Sequence, residues 1–361
     1  MAPGNIRHLH VAINSIVSRG AGVFLLLVSF VNPFQPVIAY AAGNKNSGEL
    51  IDIGDGRKMF LECRGSGSPT VILESGYRDS ADNWSTPLEP GKNTVFPQVA
   101  KFTRVCAYDR PGTARDANHL SRSTQVPMPR IARDVVSDLH ALLQTAHVPG
   151  PYVFAAHSLG GIFARLYAST YPNEVVGMVL VDALSEKVRS GLTPEQWKLY
   201  MIILTKPPPG LEKYKDIETI DLNASFDQIE KAATAQPLRP IPLFVLTAGQ
   251  PFDLSPLQPL PADFPAAFNK AWHTGQDALA TLAPNAKHII ATKSGHYIQG
   301  QEPQLVIDAI KQVVEAVRNR SARTPLDRAL TAKTGPQTAL KMKRSAFSQS
   351  TERENEAVPL N

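Results

Sequence analysis

The segment Tyr152-Val-Phe-Ala-Ala-His-Ser-Leu-Gly-Gly161 holds the residue best suited to nucleophilic chemistry, Ser158. An apolar run ends at a small-His-Ser-Leu-Gly sequence, and a helical pattern starts at once. A strand-to-helix turn of this kind holds a serine hydroxyl in the open, as the G-x-S-x-G nucleophile elbow does. Tight packing there requires small residues two places to either side, here Ala156 and Gly160. Ala156 adds one methyl to the commoner glycine. The bland reading is a chance match of five residues. The strand before and the helix after favour the elbow.

A serine hydroxyl is a weak nucleophile at neutral pH. It needs a base to take its proton and donors to hold an oxyanion. The base expected is His296, in Thr292-Lys-Ser-Gly-His-Tyr-Ile-Gln-Gly300, between the last strand and the last helix. His288 falls inside that strand. His157 adjoins the serine on a turn expected to point its side chain elsewhere. Two aspartates compete to orient the base. Asp182 ends Gly177-Met-Val-Leu-Val-Asp182, just past a strand, and a structural aspartate bonded to loop amides would read the same way. Asp253 follows the next strand, but at Gly-x-x-Asp spacing from Gly249 the position is Phe252, so Asp253 sits one place too far. Spacing therefore favours Asp182 and keeps Asp253 as the alternative. The oxyanion donors expected are the backbone amides of Leu159, after the serine, and Tyr77, where Gly76 permits close approach.

The elements that must position these residues alternate. Residues 49–53 and 58–63 form a hairpin turned at Gly54-Asp-Gly56, and further strands fall at 70–74, 104–108, 152–156, 175–181, 241–247 and 287–291. Helical spacing marks 95–102, 128–146, 159–171, 266–282 and 303–318. The order implies a mostly parallel sheet with helices on both faces. Residues 183–240 interrupt the alternation with two helical stretches, one opening at Thr193-Pro-Glu-Gln and one at 226–235. An insertion of that length reads as a helical cap over the strand ends, and its apolar residues, among them Trp197, Tyr200 and Ile203, favour a packed one over a solvated excursion.

The chain of 361 residues has a formal charge of +5, carried by its ends. Residues 1–41 hold two arginines and no acid, residues 321–361 hold seven Lys/Arg against four Asp/Glu, and the remainder balances 28 against 28. The body therefore presents no basic surface for nucleic acid. Residues 1–42 read as an export signal, with Arg7 and Arg19 before an apolar run at 21–31 and Ala39-Tyr-Ala41 ahead of a cleavage site. The expected product is exported, periplasmic or secreted. A membrane attachment follows only if this segment stays uncleaved as an anchor. Beyond Asn319 the periodicity fades, and residues 321–361 read as a disordered basic tail. Cys63 and Cys106 lie in early strands, as a bridge or as two buried thiols. No cluster with metal-ligand spacing and no phosphate-binding glycine loop occurs, so neither cofactor nor metal is expected.

Taken together, Gly67-Ser-Pro-Thr-Val-Ile-Leu-Glu-Ser-Gly76, Arg104-Val-Cys-Ala-Tyr-Asp-Arg-Pro-Gly112, Ala156-His-Ser-Leu-Gly-Gly161, Val179-Leu-Val-Asp182 and Ser294-Gly-His-Tyr-Ile-Gln299 resemble the α/β-hydrolase superfamily in its bacterial AB-hydrolase-1 branch. The likeness spans residues 48–320. It implies an eight-stranded sheet, Ser158 as nucleophile and His296 as base, and some relatives, such as haloalkane dehalogenases, place their acid where Asp182 falls. Those enzymes use a carboxylate nucleophile, so Ser158 argues against their chemistry. After Pro111-Gly112 many relatives continue Gly-x-Ser, whereas this chain has Thr113-Ala-Arg-Asp116, and the mouth of the site departs from the pattern. The family's strand order sets the second and fourth strands side by side, which implies a Cys63–Cys106 disulfide.

The function expected is an exported serine hydrolase that cleaves a small-molecule ester or related carbonyl through an acyl-enzyme. A second reading is a peptidase of the proline-iminopeptidase kind, whose acidic cap anchor would be Glu195, Glu212 or Asp216. A third is a binding protein that keeps the fold without catalysis.

Overall fold

The computed structural model describes residues 48–88, 90–254 and 259–333, with side chains described to residue 322. The expected leader at 1–42 lies outside the described residues, as does the chain beyond 333. Among the described residues no helix is long and apolar enough to cross a membrane.

Strand β1 (Glu49–Gly54) turns back into β2 (Arg57–Arg64) through Gly54, Asp55 and Gly56, all at positive φ. Strands β3 (Thr70–Glu74), β4 (Val105–Tyr108), β7 (Tyr152–His157), β8 (Val175–Val181), β9 (Leu243–Ala248) and β10 (Lys287–Ala291) complete an eight-stranded sheet. Its order is β1-β2-β4-β3-β7-β8-β9-β10, antiparallel at β1/β2 and β2/β4 and parallel elsewhere. Strands β5 (Ala114–Asp116) and β6 (His119–Leu120) form a separate ribbon that the pattern of apolar residues does not reveal.

The central strands β3 and β7 are buried along their whole length, as a sheet covered on both faces requires. Alternate side chains feed two cores. Ile72, Phe154, Met178 and Leu180 face helices α2 (Ala132–Thr145) and α3 (Gly160–Thr170). Val71, Leu73, Val153 and Val179 face α1 (Val95–Val99) and α9 (Pro303–Lys333). Helix α7 (Phe264–Ala280) adds Phe268 and Trp272 to the first core.

The insertion between β8 and β9 contains α4 (Lys187–Ser190), α5 (Pro194–Thr205) and α6 (Leu222–Ala235). Helix α5 starts with a reciprocal cap: Gln196 N–H donates to Thr193 Oγ1 (3.2 Å), and Thr193 N–H donates to Gln196 Oε1 (3.1 Å). Helix α6 starts earlier than the apolar spacing places it, because Asp221 caps it by accepting from Ala224 N–H (3.0 Å). A short helix α8 (Ile298–Gln301) precedes α9. Helix α9 in turn runs on to Lys333, through residues read as the start of a disordered tail.

Cys63 and Cys106 are cross-strand partners of β2 and β4 and are joined in a disulfide. The bridge closes a loop of sequence separation 43. Loop-closure entropy sets its contribution at about 4 kcal/mol at most. Cys63→Ser/Cys106→Ser is expected to lose about 2–4 kcal/mol in urea unfolding. A loss below about 0.5 kcal/mol would show that the bridge does not constrain the unfolded chain.

Candidate active site

Ser158 occupies the turn between β7 and α3 with φ +51°, a left-handed conformation that a side chain seldom adopts. Three backbone hydrogen bonds hold it there. Ser158 N–H donates to Val181 O (3.1 Å), and Ser158 O accepts from Gly161 N–H (3.0 Å) and Leu184 N–H (2.8 Å). Gly160 permits the approach, since a Cβ on it would stand 2.7 Å from the carbonyl oxygens of Glu74 and Ser75.

Asp182 directly follows β8, also at positive φ (+41°), with its N–H on Leu246 O (2.7 Å). Its Oδ1 accepts from Ala248 N–H (3.0 Å), which leaves Oδ2 for His296 Nδ1 at 2.7 Å. His296 Nε2 lies 2.9 Å from Ser158 Oγ. A carboxylate only accepts, so Nδ1 carries the hydrogen, and in the neutral ring Nε2 is free to accept from the serine hydroxyl. Burial pushes the His296 pKa below its ordinary 6.5, against the hydrogen bond it donates to Asp182, which pulls it up. Asp253 does not line the cleft around these residues. Phe252, at the Gly-x-x position, packs its ring 4.7 Å from that of His296.

The Tyr77 and Leu159 backbone amides donate to no protein acceptor among the described residues, and both residues line the cleft beside Ser158. Residues of α5 and α7, including Tyr200, Ile203, Leu204, Phe268 and Trp272, make the rest of its wall largely apolar. The cleft encloses about 920 Å³, part of it open to solvent. Tyr77 ties it to the cap by donating its hydroxyl to Leu204 O (3.2 Å). Glu195, Glu212 and Asp216 are exposed, and none of them lines the cleft.

Fold and site can be set beside known proteins. A model of the alpha/beta hydrolase family matches residues 71–310. The chain belongs to the alpha/beta hydrolase family. It is 31% identical over 171 residues to an uncharacterized protein of Schizosaccharomyces pombe, covering 40% of this chain and only 30% of that relative. It is 26% identical over 251 residues to the uncharacterized protein YqjL of Bacillus subtilis, covering 69% of this chain and 85% of the relative. Among solved structures, a probable hydrolytic enzyme of Pseudomonas aeruginosa PAO1 superposes with a TM-score of 0.52 at 18% identity, covering 75% of this chain and 95% of that one.

Two features of this alpha/beta hydrolase escape the sequence reading. His157 does not point elsewhere. Its ring packs 4.6 Å from that of His296, and its Nε2 donates to the His296 carbonyl (3.0 Å). A residue at the end of a buried strand alternates into whichever layer lies beneath it, and here that layer is the His296 loop. The second feature is Arg110, 2% exposed. Nε and Nη2 donate to the two oxygens of Glu218 (2.6 and 3.1 Å), and Nη1 donates to Glu74 Oε1 (2.7 Å). Nη1 also holds Ser75 O (2.9 Å), and Nη2 holds Gly76 O (2.6 Å). All five guanidinium hydrogens are thereby used.

Gly76 O and Tyr77 N–H belong to one planar trans peptide, so they point in opposite directions. Arg110 thus fixes the direction of the Tyr77 amide from behind. On the next peptide, Arg78 N–H donates to Glu218 Oε2 (2.6 Å). Two carboxylates share one guanidinium here. Burial pushes the Glu74 carboxyl up to about 7, against the pull of Arg110. Burial alone would lower the Arg110 pKa, but Glu218 and Glu74 outweigh it and hold the guanidinium charged. Arg110→Met would leave both acids buried without it and is expected to cost about 3–5 kcal/mol in chemical denaturation. A loss below about 1 kcal/mol would mean that the three groups do not act as a buried network.

Proposed function

We propose that this chain is an exported serine hydrolase that cleaves carboxylic esters, or closely related carbonyl compounds, through an acyl-enzyme. The observation that carries this reading is the unbroken row of hydrogen bonds from Ser158 through His296 to Asp182, in a cleft also lined by Tyr77 and Leu159, whose backbone amides have no protein acceptor among the described residues.

The chemistry runs in two halves. Ser158 Oγ attacks the substrate carbonyl carbon as its proton passes to His296 Nε2. The oxyanion is held by the Tyr77 and Leu159 amides. The tetrahedral species collapses, the bond to the leaving alcohol breaks, and His296 gives that alcohol its proton. Water then repeats the attack on the acyl carbon. His296 takes the water's proton and returns it to Ser158 Oγ as the acid departs. Asp182 holds the imidazole in the needed tautomer and stabilises the imidazolium while it exists. The apolar walls suit an apolar acyl or alkyl group. The Cys63–Cys106 bridge fits the oxidising compartment that the leader implies.

Wild-type protein is expected to react with a fluorophosphonate probe and to hydrolyse short p-nitrophenyl esters. Ser158→Ala is expected to lose labelling and about 10⁴-fold or more of kcat. Asp182→Asn is expected to lose about 10³–10⁴-fold, against a few-fold for Asp253→Asn. The opposite ranking of the two aspartates would transfer the orienting role to Asp253, and a wild-type protein inert to the probe would leave the non-catalytic reading standing.

The base works only when neutral, so activity falls as pH drops through the His296 pKa. Burial pushes that pKa down. The acid limb of kcat/KM is therefore expected to have its midpoint below the ordinary 6.5 of histidine. A midpoint clearly above that value would mean that Asp182 and the other nearby charges, not burial, govern His296.

A further inference from the structure

A buried imidazole nitrogen and a carboxylate of the cleft face each other without a hydrogen bond between them. His157 Nε2 lies 3.0 Å from the His296 carbonyl oxygen. A carbonyl only accepts, so Nε2 carries the hydrogen and Nδ1 of the neutral ring is a bare lone pair. That nitrogen is buried, in a side chain 1% exposed, and has no hydrogen-bond partner among the described residues. Opposite it stands Asp79 Oδ2 at 3.7 Å, beyond hydrogen-bonding distance. The Asp79 side chain is 8% exposed, and no described residue donates a hydrogen bond to its carboxylate.

The pair is built into the site. Asp79 and His157 line the same cleft as Ser158, His296 and Tyr77. Asp79 N–H closes the Gly76–Asp79 turn onto Gly76 O (3.1 Å). A Cβ on Gly76 would come within 2.7 Å of His157 Nδ1 and 3.0 Å of Asp79 Oδ2, so the oxyanion loop, the imidazole and the carboxylate converge on one point. Leaving His157 Nδ1 without a donor is costly, because a buried polar group loses its water. A ligand that supplies several hydrogens and a positive charge satisfies both the nitrogen and the carboxylate.

We propose that Asp79 and His157 Nδ1 form a subsite for a primary ammonium group of the substrate, next to the scissile carbonyl. The proposal rests on the serine-hydrolase reading and narrows its substrate class to amino-substituted esters with an apolar remainder. An ammonium has three hydrogens, enough for the carboxylate and the nitrogen together, and its charge is matched by Asp79. A hydroxyl has one hydrogen and could serve only one of the two acceptors. Asp79 also pulls the His296 pKa upward, so filling the subsite with a cation would lower the pKa of the base.

The test uses three probes of similar shape: benzylammonium, benzyl alcohol and ethylbenzene. Each is titrated by calorimetry into the full-length Ser158→Ala protein, and against p-nitrophenyl butyrate hydrolysis by wild type at neutral pH. Benzylammonium is expected to bind at least about tenfold more tightly than benzyl alcohol, the least that a charge-assisted hydrogen bond supplies. Asp79→Asn is expected to erase that ratio, and His157→Phe to reduce it, each read within its own variant so that overall activity does not enter.

Equal affinity for ammonium and alcohol in the Ser158→Ala protein, or a ratio that survives Asp79→Asn, would overturn the subsite. Should Asp79→Asn fail to fold, the wild-type ratio and His157→Phe still decide. Selective ammonium binding without any esterase activity would sink the catalytic reading while keeping the subsite.

Discussion

A serine at φ +51° cannot relax without losing the geometry that exposes it, and the rest of the site is arranged around that strain. The conformation costs about 1–3 kcal/mol and persists only because its neighbours allow no other. Val181, Gly161 and Leu184 hold both polar groups of the Ser158 backbone, and the strand behind it is buried throughout. Gly160 must lack a side chain because the Glu74 and Ser75 carbonyls stand where one would be. Those carbonyls belong to the loop that carries the Tyr77 amide. Close packing at the elbow therefore also sets how far the two amide donors stand from the hydroxyl. One missing methyl group serves the nucleophile and the oxyanion loop together.

The second constraint is electrostatic. Arg110 sits under the oxyanion loop with its charge fully enclosed, and it is satisfied by two carboxylates and two carbonyls. A buried ion network contributes little net stability, since desolvation cancels most of the attraction. Its value lies in direction. Charged donors on the carbonyl of a rigid peptide fix where the opposite N–H points, with no reorganisation left to do when a negative charge develops. Glu218 comes from the cap insertion and completes the network from above. The cap is thus joined to the Gly76–Arg78 loop by charge as well as by apolar packing.

Much of this was legible in the sequence because it is local. The elbow shows in a few residues, the alternation of strands and helices in the spacing of apolar residues, and the position of His296 in its place after the last strand. The choice of Asp182 rested on a one-residue defect in spacing after Gly249. The structure gives that defect a physical meaning, since the residue at the expected position is Phe252, which supplies a ring against His296 rather than a carboxylate. What spacing could not reveal is long-range. Glu218 meets Arg110 from 108 residues away, and His157 meets the His296 carbonyl from 139. Nothing in the periodicity of either segment marks those pairings. The small ribbon of β5 and β6 is short and partly exposed, and so leaves no apolar signature either.

The wall of the cleft bears on the base as much as on the substrate. Helix α5 contributes Tyr200, Met201, Ile203 and Leu204 to that wall and α7 contributes Phe264, Phe268 and Trp272, with the Tyr200 and Phe268 rings 5.0 Å apart. Together they leave His296 only 8% exposed. Withdrawing water from an imidazole disfavours its charged form, yet the proposed acyl transfer requires that form to appear transiently. Asp182 resolves the conflict: a carboxylate 2.7 Å from Nδ1 returns the stabilisation that water would have given, but only along one hydrogen bond and for one tautomer. The same low-polarity surroundings make each remaining donor count for more, because an oxyanion formed there in the proposed reaction would have little besides the Tyr77 and Leu159 amides to hold it. A wetter cleft would stabilise the imidazolium without Asp182 and the oxyanion without Tyr77 and Leu159, and the geometry that Arg110 maintains would then matter far less.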